Sequence, residues 1–484
     1  MHSGLLNTKR SNASNALPNK HMIHIAPRCK PPLDPEFIPA ALWNREYLKL
    51  AADASNSRKV RIAIDRPEGS TWIYNTTLLP ESSEASTDTL KYCERTVKFL
   101  LWAWGGSRLR ISNAPDVVAQ LQAVYSADGA RSFDYEFMGK KCFDQAFSIE
   151  NADAADLKEV LPPATGGVGS LKGNRLGFDL GGSDRKCAAM IDGEVVFSEE
   201  IKWSPYFESD PAYHRAGIED SLKRAAAHLP SVDAIGGSAA GIYIYNEPRV
   251  GSLYRGISPD DFQKSIRNLF HELKTEWNDI PFEIANDGDV TAMAGAMAID
   301  DSAVLGVSMG TSLAGGYINP NGSVTGWINE LAFVPVDYRE GVATDEWSGD
   351  AGCGVQYFSQ QAVARLLPLS GIAVSEGLGL PEKLEVVQEM MAQGDERAAA
   401  IYRTIGTYFG YTIAHFAEFY EFRHLLFLGR VSSGQGGEII MEEARRVLDL
   451  EFPELSKTVA FQTPDEKTKR HGQAIAAATL PKLD

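Results

Sequence analysis

One pattern constrains this chain more than any other: an apolar strand that breaks at a glycine-rich turn and returns as a second strand. Residues 176–186 read Leu-Gly-Phe-Asp-Leu-Gly-Gly-Ser-Asp-Arg-Lys, and a second apolar run turns at Asp192-Gly193. Apolar runs broken by Gly-Gly and Asp-Gly predict hairpins. The pattern recurs at 306–316, where strand 303–308 meets Gly310-Thr311-Ser312 and returns through Gly315-Gly316. A third apolar run, 425–428, ends at Gly429 and opens a loop holding Gly434, Gly436 and Gly437. Glycines let backbone N–H groups converge on an anion, and Ser183, Thr311 and Ser312 add hydroxyl donors. One such turn is more often only a turn. Three of them, each after an apolar strand, suit two halves gripping a polyphosphate, with the third loop beside a nucleoside.

Length allows two to four domains. The formal charge of −17 argues against a nucleic acid held by general electrostatics. Cys29, Cys93, Cys142, Cys187 and Cys353 are scattered, without a CxxC, which predicts free thiols in a reducing cytoplasm. No apolar run approaches a membrane span, and the polar first 24 residues lack the apolar core of a secretory signal.

Residues 1–33 are predicted to be a flexible tail, and 34–161 an α+β accessory domain. In the latter we read a helix at 36–54, strands at 60–64 and 72–76, a helix at 89–96, a buried strand at 97–104, a strand at 109–111 and a helix at 116–125. Trp102, Trp104 and Phe137 read as core. The Pro- and Gly-rich stretch 162–173 is the clearest linker. Beyond it, strand 281–285 runs into Asn286-Asp287-Gly288-Asp289 at the head of a small-residue helix. A carboxylate there can project from a helix head toward a reacting hydroxyl; a plain N-cap is the bland alternative.

On these motifs the chain resembles the ROK family, the branch of sugar kinases in the actin-like ATPase superfamily that includes bacterial glucokinases. Asp179-Leu-Gly-Gly-Ser-Asp-Arg-Lys186 matches the first phosphate motif, with Ser183 where Thr is usual. Gly236 to Gly241 resembles the Gly-x-Pro-Gly turn, with Ala240 for proline. Asn286-Asp287-Gly288-Asp289 stands where the family has Asn-Asp-Ala-Asn. Met309-Gly-Thr-Ser-Leu-Ala-Gly-Gly316 matches the second phosphate motif, and Phe427 to Ser433 the adenosine-side loop. The resemblance covers 174–484. It implies an α/β fold of two ribonuclease-H-like, actin-like ATPase lobes around a cleft: a small lobe of 174–285 plus 471–484, and a large lobe of 286–470. The accessory domain lies outside it.

The implied activity is ATP-dependent phosphorylation of a hexose or hexose derivative with Mg2+. Asp287 would be the general base. Gly181, Gly182, Ser183, Lys186, Gly310, Thr311 and Ser312 would face phosphates, and Gly429 and Ser432 the adenosine. Asp179 would serve Mg2+ through water, and of Arg185 and Lys186 one would reach phosphate while the other is solvated. Asn286, Gly241 and Glu330 would meet the sugar, with Asp289 capping the helix. Two family features are missing: Phe333 replaces a histidine, and only Cys353 remains where a structural zinc needs four ligands. No zinc is expected, and the sugar is left open. A small-molecule sugar is the expected partner, with no nucleic acid or membrane; residues 1–170 are open between a homodimer contact and a lid. The alternatives are a non-catalytic sugar-binding regulator, whose helix-turn-helix finds no counterpart before residue 170, and an actin-like ATPase without a sugar.

Overall fold

The computed structural model describes residues 23–82, 86–163, 167–168, 170–463 and 466–483. The elements run α1 (Ala40–Asp53), β1 (Arg58–Asp65), β2 (Thr71–Leu78), α2 (Ser86–Ala103), β3 (Arg108–Ser112), α3 (Pro115–Val124), α4 (Ser132–Glu136) and β4 (Ser148–Ala152). Next come β5 (Asn174–Leu180), β6 (Asp184–Ile191), β7 (Glu194–Lys202), α5 (Pro211–Ala226), β8 (Ala234–Ala239), β9 (Ile242–Ile244), β10 (Glu247–Val250), α6 (Pro259–Asp261), α7 (Leu269–Glu276), β11 (Phe282–Asn286) and α8 (Asp287–Ile299). The last part holds β12 (Val304–Met309), β13 (Leu313–Ile318), α9 (Val355–Phe358), α10 (Gln360–Ser370), α11 (Leu380–Ala392), α12 (Glu396–Phe416), β14 (His424–Leu428), α13 (Gly434–Glu451), α14 (Pro453–Thr458), β15 (Ala460–Gln462) and α15 (Glu466–Ala477).

Two sheets share one plan. In the order β11-β8-β5-β6-β7, the hairpins β5–β6 and β6–β7 are antiparallel, while β8 and β11 add in parallel. In β13-β12-β14-β15, the hairpin β12–β13 is antiparallel, while β14 and β15 add in parallel. The repeated motif is therefore a repeated antiparallel hairpin joined by parallel strands, interior in the first sheet and at the edge of the second. Leu180 pairs with Arg185 across the first turn, and Met309 with Leu313 across the second. Helix α15 lies against both α8 and β5, and Gln473 Nε2 donates to Thr291 Oγ1 at 2.7 Å.

The accessory part forms a third sheet, β2-β1-β3-β4, but it has no core of its own. Its Tyr47, Phe99 and Trp102 belong to one continuous apolar cluster with Val355, Tyr408 and Phe416, whereas β5, β8 and β11 pack a separate cluster. This explains a difference from the sequence reading. Residues 97–104, expected as a buried strand, are mostly the last turns of α2. Val97, Phe99, Leu100, Leu101 and Trp102 are all fully buried, because the helix is enclosed on every side and its 3.6-residue period is lost. Phe99 stacks on Phe419 at 3.8 Å between ring centroids, and Trp102 on Phe333 at 4.1 Å.

The described residues of the tail and of the linker make contacts with the rest of the chain. Residues 1–22 lie outside the described part, but from residue 23 the predicted tail crosses α12 and α13. Arg28 N donates to Glu451 Oε1 at 2.6 Å, and Cys29 exchanges hydrogen bonds with the Tyr411 hydroxyl at 3.2 and 3.1 Å. The linker is pinned where Gly167 bridges to Ser323. The accessory part also reaches the other sheet: Asp144 pairs with Arg249 and Arg267.

The loop 345–353, where zinc was not expected, is held by charge. Lys98, fully buried, pairs with Asp134 and Asp350 at 3.1 Å each. Arg95 and Arg131 reach Asp350 at 3.0 and 2.5 Å. Burial works against the Lys98 charge, and Asp134 leads the neighbours that more than restore it. All five cysteines are free and buried. Among the described residues no group of three or more His, Cys, Asp or Glu side chains is placed to hold a metal ion, and no helix is long and apolar enough to cross a membrane.

Removing one partner of a buried ion cluster strands the others, at about 3–5 kcal/mol. Asp350→Ala should therefore lower the denaturant midpoint sharply, while Glu385→Ala, at a solvated pair with Arg430, should move it little. Equal shifts in the two variants would rule out the anchoring role of Asp350.

Candidate active site at the head of helix α8

Helix α8 begins where β11 ends, and Asn286 caps it. Its Oδ1 accepts from Gly288 N at 2.7 Å, and its Nδ2 donates to the Gly241 carbonyl at 2.7 Å. The N-cap expected as the bland role thus falls to Asn286, leaving the Asp287 carboxyl free of it. Asp289 is not a cap. It is buried at 3 % exposure, and its Oδ1 accepts from Tyr317 N at 2.9 Å and Asn329 Nδ2 at 2.8 Å. It ties α8 to β13 and to the loop that carries Glu330.

Glycines make this contact close. A Cβ on Gly316 would overlap the Gly288 carbonyl, so the first turn of α8 rests on the backbone of β13. The sequence pair Asn-Asp-Gly-Asp and Ala-Gly-Gly is the local signature of that approach.

Three carboxyls gather here. Burial, then the charge of Asp179, pushes Asp287 up to about 6. Burial pushes Asp289 up to about 7. Burial, then Asp287 and Asp289, raises Glu330 to about 7. Among the described residues none of the three has a Lys, Arg or His within ion-pair distance. Groups held near neutrality at a helix head are suited to exchanging protons and accepting hydroxyl hydrogens. Glu330 is placed by the accessory part: Glu330 N donates to Trp102 O and Asn329 N to Ala103 O, both at 2.9 Å.

The first glycine turn is more internally committed than expected. Asp179, 4 % exposed, accepts from Ser238 Oγ at 2.7 Å and pairs with Lys186 Nζ at 3.3 Å. Lys186 also pairs with Asp184 at 3.2 Å, so its charge is neutralised within the turn. The Ser183 hydroxyl donates to Asp184 at 2.8 Å. Trp203 Nε1 donates to Gly181 O at 2.7 Å, and the Tyr206 ring sits where a Cβ on Gly182 would be. Arg185, expected at phosphate or in solvent, is neither: it is buried and bonded to Ser221 at 2.6 Å and Asp220 at 2.5 Å. The short turn of β6 toward α5 gives that side chain an inward partner that alternation alone does not reveal.

The second turn exposes Thr311 and Ser312, and Gly310 O accepts from Gln360 N at 2.9 Å. The third loop meets it at Met309. Gly429 has a φ of +103°, and a Cβ there would overlap the Met309 backbone. Val431 N donates to Met309 O at 3.0 Å, and Ser432 Oγ closes the loop on Gly429 O at 2.9 Å.

Two cavities flank the head of α8. The first, about 480 Å3, is lined by Asp287, Gly288, Gly315, Gly316, Gly429 and Ser432, among others. The second, about 280 Å3, is lined by Gly241, Asn286 and Asp289, and also by Arg66, Tyr243 and Trp327. Gly181, Gly182, Ser183, Lys186, Gly310, Thr311, Ser312 and Glu330 lie outside both linings. Arg66 and Tyr243 carry no motif, and Arg66 comes from the part of the chain read as accessory.

The fold is shared with solved structures. A ROK hexokinase from Thermus thermophilus superposes with a TM-score of 0.50 at 17% identity, over 64% of this chain and 98% of that one. A ROK family glucokinase from Streptomyces griseus, in complex with glucose and AMPPNP, gives 0.45 at 20% identity over 64% and 99%. A ROK family transcriptional regulator, a homolog of the E. coli MLC protein, gives 0.48 at 18% over 63% and 78%. No family model matches the sequence, and no curated protein matches it. The chain thus has the mixed α/β, actin-like ATPase fold of the ROK kinases.

The close approach of α8 to β13 makes a direct check. Gly316→Ala should cost about 1–3 kcal/mol through overpacking, read as a lowered thermal midpoint. An unchanged midpoint would show that α8 can back away freely.

Proposed function

We propose that the protein is an ATP-dependent kinase that phosphorylates a hydroxyl of a hexose or hexose derivative. The observation that carries this is the position of Asp287. It lines the larger cavity, while its neighbour Asn286 lines the smaller one. Phosphoryl transfer to a hydroxyl needs donor and acceptor sites that adjoin, and a carboxylate at their junction can take the hydroxyl proton.

In this reading the adenosine lies along Gly429 and Ser432, and the phosphates run toward the glycines of β13 and the facing turn at Gly181 to Ser183. The acceptor occupies the smaller cavity, against Gly241 and Asn286, with Glu330 at its edge. Asp287 takes the proton of the attacking hydroxyl. That oxygen bonds to the γ-phosphorus as the bond to the ADP oxygen breaks. Mg2+ bound to the phosphates would neutralise charge on the transferring group. Asp179 fits an outer role there: both its oxygens already take a protein donor, yet each keeps a lone pair for a water of a hydrated ion. Lys186 acts through Asp179 rather than on phosphate. The ROK hexokinase and glucokinase named above supply analogies for this chemistry; a regulator of the same fold would bind a sugar without consuming ATP.

Asp287→Asn should lower turnover by about 10²- to 10⁴-fold while retaining binding of a non-hydrolysable ATP analogue. Normal turnover in this variant would remove Asp287 from the role of base. The ionised carboxylate is the active form, and Asp287 is held at about 6. kcat/KM should therefore rise with pH through about 6 and fall with unit slope below it. A profile flat from pH 5 to 8 would contradict the assignment.

A further inference from the structure

The smaller cavity contains a charge that the kinase reading does not use. Arg66 follows β1 in the accessory part and is 6 % exposed. Its Nε donates to Gly105 O at 3.1 Å, and its Nη2 donates to Trp104 O at 2.6 Å and Gly326 O at 2.9 Å. Its guanidinium lies over Trp72 at 4.6 Å and Phe143 at 5.3 Å from the ring centroids. Among the described residues no carboxylate is within ion-pair distance of it. Burial lowers its pKa to about 10, a measure of how poorly the charge is compensated. The Glu68 charge offsets this in part without pairing with it, and a buried cation with no direct ion pair is costly.

Three of its five N–H groups are spent on carbonyls, which leaves the two of Nη1. Nη1 stands beside Gly326, and both residues line the cavity. Arg66 is also the one Lys or Arg among the described lining residues. The carboxyls on the same wall do not cancel it. Glu283 is pushed up by burial, and Asp289 is already engaged by Tyr317 N and Asn329 Nδ2. Those groups suit sugar hydroxyls, and Arg66 suits an anion.

We propose that the acceptor is an anionic monosaccharide, carrying a carboxylate or a phosphate, and that Arg66 Nη1 binds that group. This rests on the kinase reading and adds the substrate class to it. Guanidinium against a carboxylate or phosphate is the strong form of the hydrogen bond, and about 280 Å3 is space for a ligand of monosaccharide size. The neutral sugars are disfavoured because they would leave the buried charge unmatched.

The test uses the full chain with Mg-ATP. Glucose, mannose and N-acetylmannosamine are compared with glucuronate and gluconate as carboxylates, and with glucose 1-phosphate as a phosphate. The best anionic acceptor should exceed the best neutral one by about tenfold or more in kcat/KM, and which anion wins identifies the group. Arg66→Gln should erase that preference through KM, and Arg66→Lys should recover part of it. Hydrogen exchange at the amides of Asn329 and Glu330 checks that the loop stays docked. Should Arg66→Gln unfold, Arg66→Lys and the salt dependence of wild-type KM carry the same comparison. A neutral hexose as the best acceptor, with its advantage unchanged in the Arg66 variants, overturns the inference and leaves the kinase reading standing. Phosphorylation of none of these sugars instead counts against the kinase reading. Calorimetric titration with the same anions then decides the inference: binding lost in Arg66→Gln supports it, and no binding by the wild type overturns it.

Discussion

The contact between the head of α8 and the backbone of β13 is what the rest of the site depends on. Gly288 and Gly316 let the two backbones meet, and Asp289 locks the contact through Tyr317 N and Asn329 Nδ2. One end of that lock fixes the helix whose first residue is Asp287. The other fixes the loop whose next residue is Glu330. Tyr420 completes it by donating its hydroxyl to Asn329 Oδ1 at 3.0 Å. A carboxylate spent on two protein donors looks wasteful beside a reactive site. Here it converts a sheet edge, a helix and a loop into one rigid constellation.

The accessory part is a wall of that constellation. Because α2 is enclosed between its own sheet and the elements around α12, the two parts of the chain have a common interior. Lys98, Arg95 and Arg131 extend the sharing into the loop at Asp350. Backbone carbonyls at the end of α2, Trp102 O and Ala103 O, then receive the amides of the Glu330 loop. A charged, buried network thus ties the loop at Asp350 to α2.

Much of this was legible in the sequence, for identifiable reasons. The two hairpins announced themselves because glycine turns between apolar strands have few other uses. The head of α8 was legible because Asn and Asp before a small-residue helix mark a start, though which of them caps was visible only in space. The 97–104 segment misled because a helix buried on all sides loses the periodicity that identifies helices. The commitments of Lys186 to Asp179 and Asp184 and of Arg185 to Asp220 were hidden because cations near a phosphate-type turn look alike until their partners are placed. Arg66 was invisible for a different reason. Its importance comes from a cavity assembled from segments far apart in sequence, and nothing local marks it.

Asp144 gives the architecture a temporal side. It sits on the accessory part yet pairs with Arg249 and Arg267, beside the β9–β10 hairpin that borders the smaller cavity. The side chain of Asp144 is about half exposed, so water and salt weaken both pairs. A strut of that kind is firm enough to favour one arrangement and cheap enough to release. Any motion that separates β10 from residues 137–145 must first part these ions. The hold of the accessory part on the β9–β10 hairpin is thereby coupled to ionic strength.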